Sequence, residues 1–221
     1  MIFDDRMDRL KRRAELASGK LLPDMVLTNC KVINVFNGKI IHGNIAIDGG
    51  KIIGIGPYEA KEKIDLGGAY VAPGLIDAHM HMESTLVTPG QMARIIVPRG
   101  TTTVVADPHE IANVLGIEGV EFMLDATEKT TLNGFFMLLS CVPSTDFETS
   151  GAKLNADKLS ELFNHPKVLG LGELMNYPGV IAGDTDMLEK MKMAQSKIID
   201  GQGPELTGKD LNAYMINGVR T

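Results

Sequence analysis

Cysteine is nearly absent: only Cys30 and Cys141 occur, in contexts too different to suggest a pair. That excludes a disulfide framework and makes a reduced, cytoplasmic compartment the expectation. Long apolar runs are missing as well. Nothing approaches the ~18 consecutive apolar residues of a membrane-spanning helix. The opening stretch, MIFDDRMDRLKRRAELASG, mixes acids with bases and lacks the apolar centre of a signal peptide. Basic clusters are equally scarce. Beyond Lys11-Arg12-Arg13 none stands out, and 22 basic against 28 acidic residues give a formal charge of −6. No electrostatic footprint for nucleic acid exists, and neither nucleic acid nor a membrane is expected as a partner. Aromatics are sparse at 5%, with no tryptophan.

What is present is an ordinary globular composition, 44% hydrophobic, with 24 glycines and 10 prolines that imply many turns. Three segments follow from the changes of period. Residues 1–23 hold an N-terminal helix, amphipathic or merely solvated over 2–17, with Leu10, Ala14 and Leu16 as a thin apolar side. Residues 24–70 form a small β-module. Its β-branched runs are punctuated by Asn37-Gly38 and Asp48-Gly49-Gly50, which is hairpin chemistry with positive φ supplied by the glycines.

Residues 71–221 change rhythm. Short apolar runs at 71–76, 102–106, 135–142, 168–171 and 197–199 recur at roughly the ~30-residue length of a βαβ unit. Helical stretches at 89–97, 117–128, 156–164, 184–195 and 207–216 separate or follow them. Thr88-Pro89 offers an N-cap and an N1 proline, and TGKD at 207–210 resembles a capping box. The fold class is therefore α/β, with a parallel sheet and helical crossovers. Polar residues follow all five strands, and three strand ends carry potential metal ligands. A (β/α)8 TIM-type barrel gathers its site from every strand end, whereas a doubly wound sheet uses one switch point. A partial barrel of about five of eight units is the expectation. An open sheet of this kind would leave apolar residues of VVA, FFMLLSCV and VLGL exposed and prone to association.

The stretch GLIDAHMHMES, residues 74–84, places Asp77, His79, His81 and Glu83 behind an apolar strand. His79 and His81 stand two apart on extended backbone, so their side chains leave one face, with Cα atoms ~6.6 Å apart. Imidazoles at that spacing converge on one ion at ~2.1 Å each; the bland alternative is a pair of core or surface histidines. Glu173, in GELMN, projects from a later strand end and carries two oxygens that can bind separate ions. His109, between Asp107 and Glu110 with proline before it, forms a second cluster or simply enters a helix. Met80, Met82 and Met175 are read as packing, His42 and His165 as surface residues, and Cys141 as a small apolar filler.

Two decoys fail. HME at 81–83 matches the H-x-E of zinc nucleoside deaminases, but their P-C-x-x-C partner is absent. GPELTGKD at 203–210 nearly spells a P-loop, yet ends in Asp where Ser or Thr holds Mg²⁺.

PGLIDAHMHMEST, GTTTVVADPHEIANVLG and GELMNYPGV, in this order, resemble the amidohydrolase superfamily and within it the adenine deaminases. The resemblance covers almost the whole chain. It implies a metal-dependent barrel that hydrolyses adenine to hypoxanthine and ammonia, a small β-domain flanking it, and a homo-oligomeric complete enzyme. It further implies two divalent metals (Mn, Fe or Zn), with His79 and His81 on one, and Glu173 bridging both as a catalytic residue. Asp107, His109, Glu110 and Glu83 fall at an additional metal or substrate site. The proton shuttle of the superfamily is an aspartate after the last strand.

Two departures stand out. Gln202 occupies a position where the family motif has histidine, and a neutral amide is a poor ligand for these metals. A closed barrel takes eight units and ~250 residues, whereas five are legible here. The expectation is the N-terminal portion of an adenine deaminase, inactive unless a C-terminal chain complements it. The alternatives are a catalytically dead metal-binding remnant or interaction module, and an amidohydrolase acting on another cyclic amide or amine.

Overall fold

The computed structural model describes residues 5–145 and 147–220. It divides into two compact units, one ending at Pro73 and the other beginning at Gly74. No helix among the described residues is long and apolar enough to cross a membrane.

The first unit contains α1 (Asp5–Ala17), β1 (Met25–Asn34), β2 (Lys39–Asp48), β3 (Lys51–Ile55), β4 (Glu62–Asp65) and β5 (Tyr70–Val71). β2 pairs antiparallel with both β1 and β3, while β4 and β5 add to β1 in parallel. Gly49 and Gly50 join β2 to β3 at φ +54° and +71°. A two-residue turn whose twist matches the strands needs positive φ at both centres, which glycine adopts without a Cβ clash. Cys30, Val32 and Ile45 form the buried centre, with Leu27, Ile41, Ile47, Leu66 and Val71 against it.

Two expectations need correction in this unit. Of the apolar side foreseen on α1, only Leu16 is buried, whereas Leu10 and Ala14 are exposed. Residues 2–4 of the foreseen helix lie outside the described residues. The run 71–76 is not one strand: Tyr70 and Val71 pair with Lys31 and Val32 in the small sheet, and the next strand starts only at Leu75. Ala72, Pro73 and Gly74 lie between the two strands and belong to neither.

The second unit alternates strands with helices: β6 (Leu75–Met80), α2 (Pro89–Ile96), β7 (Thr101–Ala106), α3 (His109–Leu115), α4 (Ile117–Glu128), β8 (Asn133–Leu139), α5 (Ala156–Phe163), β9 (Val168–Leu174), α6 (Tyr177–Ala182), α7 (Thr185–Ala194), β10 (Ile198–Gly201) and α8 (Gly208–Met215). The five strands pair in parallel, each with its sequence neighbour, in the order β10-β9-β8-β7-β6. An order without reversal has no switch point, so this is a curled half-barrel and not a doubly wound sheet.

The core is continuous. Phe136, Leu138 and Leu139 of β8 and Leu171 and Leu174 of β9 pack with Met123, Leu124, Leu159 and Met191 from the helices. Strands covered on both faces read as unbroken apolar runs, which explains FFMLL. This corrects the expectation that VVA, FFMLLSCV and VLGL would lie open: Val104, Ala106, Phe136–Leu139 and Leu171 are buried. Within the sheet, the exposed large apolar side chains lie instead on the outermost strands, Leu75 and Ile76 of β6 at 64% and 66% and Ile198 of β10 at 49%.

Local capping differs from the sequence pattern. Asn155, Asn176 and Asp184 accept bonds from the amides of Lys158, Gly179 and Met187 at the starts of α5, α6 and α7. Thr88 and Thr207 make no such bond. The expected box at 207–210 does not form: the Thr207 side chain makes no cap bond, and Gly208, the first residue of α8, sits at φ +58°.

Candidate metal centre

The carboxyl ends of β6, β7 and β9 converge. His79 lies within β6 and His81 one residue past it, Asp107 follows β7 directly, His109 opens α3, and Glu173 is the penultimate residue of β9. Two groups of ligand atoms result, each spanning less than 4.8 Å: His79, His81 and Glu173, and Asp107, His109 and Glu173. Glu173 belongs to both.

The distances suit a shared ion. Glu173 Oε1 is 3.0 Å from His79 Nε2 and 3.5 Å from His81 Nε2. Two atoms each ~2.1 Å from one ion are about 3.0–3.4 Å apart at the angles of octahedral or tetrahedral sites. The other oxygen, Oε2, is 3.3 Å from His109 Nδ1. Each oxygen of one carboxylate therefore faces a different histidine set.

The surroundings orient these ligands. His81 Nδ1 lies 2.7 Å from the Asp107 carbonyl, which can only accept, so Nδ1 carries the hydrogen and Nε2 presents its lone pair. Gly172 lets the Asp107 carboxylate approach: a Cβ there would collide with Asp107 Oδ2 and with Met137 Cβ. Glu173 sits at φ +39°, an uncommon conformation for a non-glycine residue. Ser140, following β8, donates to its carbonyl at 2.6 Å.

Burial makes the centre electrostatically demanding. Asp107 is 1% exposed and His109 7%. Their facing atoms, Oδ1 and Nδ1, are 2.7 Å apart, yet the alignment leaves both carboxylate oxygens and both ring nitrogens without a hydrogen bond. Burial pushes the Asp107 carboxyl up, and His109 only partly offsets it. For His109 burial acts downward, but Asp107, Glu173 and Glu110 outweigh it and the net shift is upward. His81 behaves alike: burial opposes, while the Asp107 carbonyl and the Glu110, Glu173 and Asp107 carboxylates raise it. Buried ligand-type atoms with no partner, inside an excess of carboxylates, fit a divalent cation. The donor set of imidazole and carboxylate suits manganese, iron or zinc.

Glu83 and Glu110 stand outside both groups. Glu83 Oε1 accepts from the Ile111 amide in the first turn of α3, and burial raises its carboxyl. Glu110 is exposed, takes a bond from Ser84 Oγ, and lies 3.4 Å from His81 Nδ1. So the second sequence cluster is split, with Asp107 and His109 sharing Glu173 and the two glutamates flanking. Gln202 is exposed; its backbone amide donates to the Tyr214 hydroxyl at 3.0 Å. Met82 is fully buried and Met80 and Met175 pack against the core, while Cys141 is buried and free. His42 is exposed; His165, foreseen at the surface, is half-buried, and its Nδ1 accepts from the Lys167 amide. Ser140, which holds the Glu173 carbonyl, was invisible in the sequence.

Residues 70–220 match the amidohydrolase family. The chain is 51% identical to an adenine deaminase of Clostridium acetobutylicum over 214 residues, 96% of this chain and 38% of that protein. It is 50% identical to adenine deaminase 2 of Carboxydothermus hydrogenoformans, over 97% of this chain and 38% of the relative. The chain thus spans well under half the length of these relatives. Among solved structures, an adenine deaminase superposes with a TM-score of 0.57 at 20% identity, covering 81% of this chain and 50% of that one. A zinc-bound atrazine chlorohydrolase from Arthrobacter aurescens gives 0.55 at 16% identity, over 80% and 52%. At these identities the structural likeness speaks for the fold.

Proposed function

The chain belongs to the amidohydrolase family, and from that premise we propose that it carries the metal-ligand-bearing part of an adenine deaminase, which converts adenine and water to hypoxanthine and ammonia. The observation that carries the reading is Glu173, whose two oxygens face His79 and His81 on one side and His109 on the other. His79, His81 and Glu173 would hold one divalent ion, and Asp107, His109 and Glu173 a second. When bound, such ions lower the pKa of water so that hydroxide is available near neutral pH.

The chain's own residues do the rest of what it can do. His81, its tautomer set by the Asp107 carbonyl, keeps Nε2 free to bind. Glu110, solvent-facing and bonded by Ser84, would meet a polar edge of the purine on this reading. Attack at C6 expels the amino group as ammonia only if a carboxyl delivers a proton to it. The family resemblance gives that role to an aspartate after the last barrel strand, so we assign it to a C-terminal segment or chain that completes the barrel. On this reading the 221 residues alone turn adenine over negligibly, the completed enzyme is a homo-oligomer, and it works in the cytoplasm.

The second reading is a metal-binding remnant without turnover, favoured by Gln202, whose exposed side chain replaces the family's histidine. Complementation separates the two. Adding the C-terminal part of a related adenine deaminase should restore ammonia release, more strongly in Gln202→His. Metal binding without any rescue would support the remnant.

Metal content tests the site itself. Elemental analysis of the purified chain should find about one divalent ion or more, reduced in the His79→Ala/His81→Ala variant. Equal content in the two proteins would remove the assignment.

A further inference from the structure

Lys190 is a lysine where a solvated one would be expected, on α7 in the pattern LEKMKMA, yet it is 2% exposed. Its Nζ donates to the Ser140 carbonyl at 2.8 Å and pairs with Asp186 Oδ2 at 2.7 Å. Asp186 Oδ1 in turn accepts from the Ala156 amide at the start of α5. Ser140 is wholly buried, and its hydroxyl donates at 2.6 Å to the carbonyl of Glu173. An ammonium on α7 is thereby connected through one serine to the backbone of the carboxylate shared by both ligand groups.

The connection meets Glu173 where it is strained. A glutamate at φ +39° persists only if its surroundings hold it there. Its carbonyl accepts from Ser140 Oγ and from the Met175 amide, both at 2.6 Å. The next carbonyl, of Leu174, accepts from the buried Tyr214 hydroxyl at 2.6 Å. Removing the Ser140 bond leaves the Glu173 carbonyl held by the Met175 amide alone, loosening the backbone from which Oε1 and Oε2 are aimed. A buried ammonium is also a costly way to hold a loop that any apolar side chain could pack. Its use here is directional: it fixes the Ser140 peptide, and through it the hydroxyl.

We propose that Lys190 and Ser140 are positioning residues for Glu173, setting the orientation that lets one carboxylate serve both ligand groups. The proposal rests on the metal-site reading above. Partners behind metal ligands typically affect affinity by ~10–100-fold.

The test is a Co²⁺ titration of the purified 221-residue chain, read by visible absorption and by competition with a chromophoric chelator. Wild type, Ser140→Ala, Lys190→Met, Lys190→Arg and His79→Ala are compared, each with its thermal melt. Ser140→Ala removes one hydroxyl and leaves the packing volume almost unchanged, so it stays folded even if Lys190→Met does not. The expected result is Co²⁺ affinity lowered ~10–100-fold in Ser140→Ala with an altered absorption spectrum, and partial recovery in Lys190→Arg relative to Lys190→Met. A purely structural role would move the melt and leave the spectrum of the bound ion alone. Wild-type spectrum and affinity in Ser140→Ala, with His79→Ala impaired, would overturn the positioning role and keep the metal site. Wild type and His79→Ala binding Co²⁺ equally, or neither binding it, would overturn both.

Discussion

Tyr214 ties two strand ends together with one hydroxyl, donating to the Leu174 carbonyl and accepting from the Gln202 amide while 3% exposed. Tyr214→Phe leaves both backbone groups unpaired, so it should destabilise the chain by about 1–3 kcal/mol in denaturant unfolding. Burial raises this phenol above its ordinary value of 10.0. A raised folded-state pKa means a contribution that is complete below the unfolded pKa and is lost as pH rises through the folded one. The stability gap between wild type and Tyr214→Phe should therefore hold steady to about pH 10 and narrow above it; a gap that widens there contradicts the assignment. Gly172→Ala places a methyl against Asp107 Oδ2. Metal content should fall, most of it from the group containing Asp107 and His109, as measured by elemental analysis. His79, His81, Asp107, His109 and Glu173 were legible because polar residues directly after apolar strands have few other reasons to be there. Ser140, Lys190 and Tyr214 were not, since polarity in a sequence reads as exposure, and their partners are backbone carbonyls that no side-chain pattern reveals.

At the level of elements, the five parallel strands were legible from runs of apolar residues about one βαβ unit apart, and α4 fell where its period placed it, at Ile117–Glu128. The short helix α6 was missed, and α3 was foreseen only as the alternative reading in which His109 enters a helix. Each begins with residues that read as site or turn, HE and YPG, and each is too brief for an apolar period to declare itself. The strand boundary at Leu75 was misplaced because VAPGLI looks continuous, although β5 takes its first residue and proline interrupts the rest. The β2–β3 turn gives an element-scale test. Nothing lies within 4 Å of a Cβ at Gly49, so the penalty of Gly49→Ala is conformational, about 1–2 kcal/mol from its φ of +54°. Unfolding should show that loss while divalent metal content stays at the wild-type level, because the ligands all lie in the other unit. A fall in metal content would mean that the two units are not independent in this respect.

For the whole molecule, the half-barrel has two edges: β6, which pairs with β7, and β10, whose outer side carries only a short parallel bridge from Ile199 to Val219 among the described residues. Leu75, Ile76 and Ile198 stand exposed along them, and such edges are templates for pairing with another chain. The isolated 221-residue chain should therefore self-associate in light scattering, and Leu75→Lys with Ile76→Lys should reduce that association. A monodisperse wild-type monomer with a sharp thermal transition would show that these edges are protected. The strand order carries a further consequence, one of timing. Every strand of the half-barrel pairs with the one made just before it, so each pairing spans about one βαβ unit and none waits for a more distant segment. The sheet can grow vectorially as the ribosome delivers it, each βα unit docking on the last. At every stage of synthesis it would present the same thing to the cell: one finished face, and one edge waiting for the next strand.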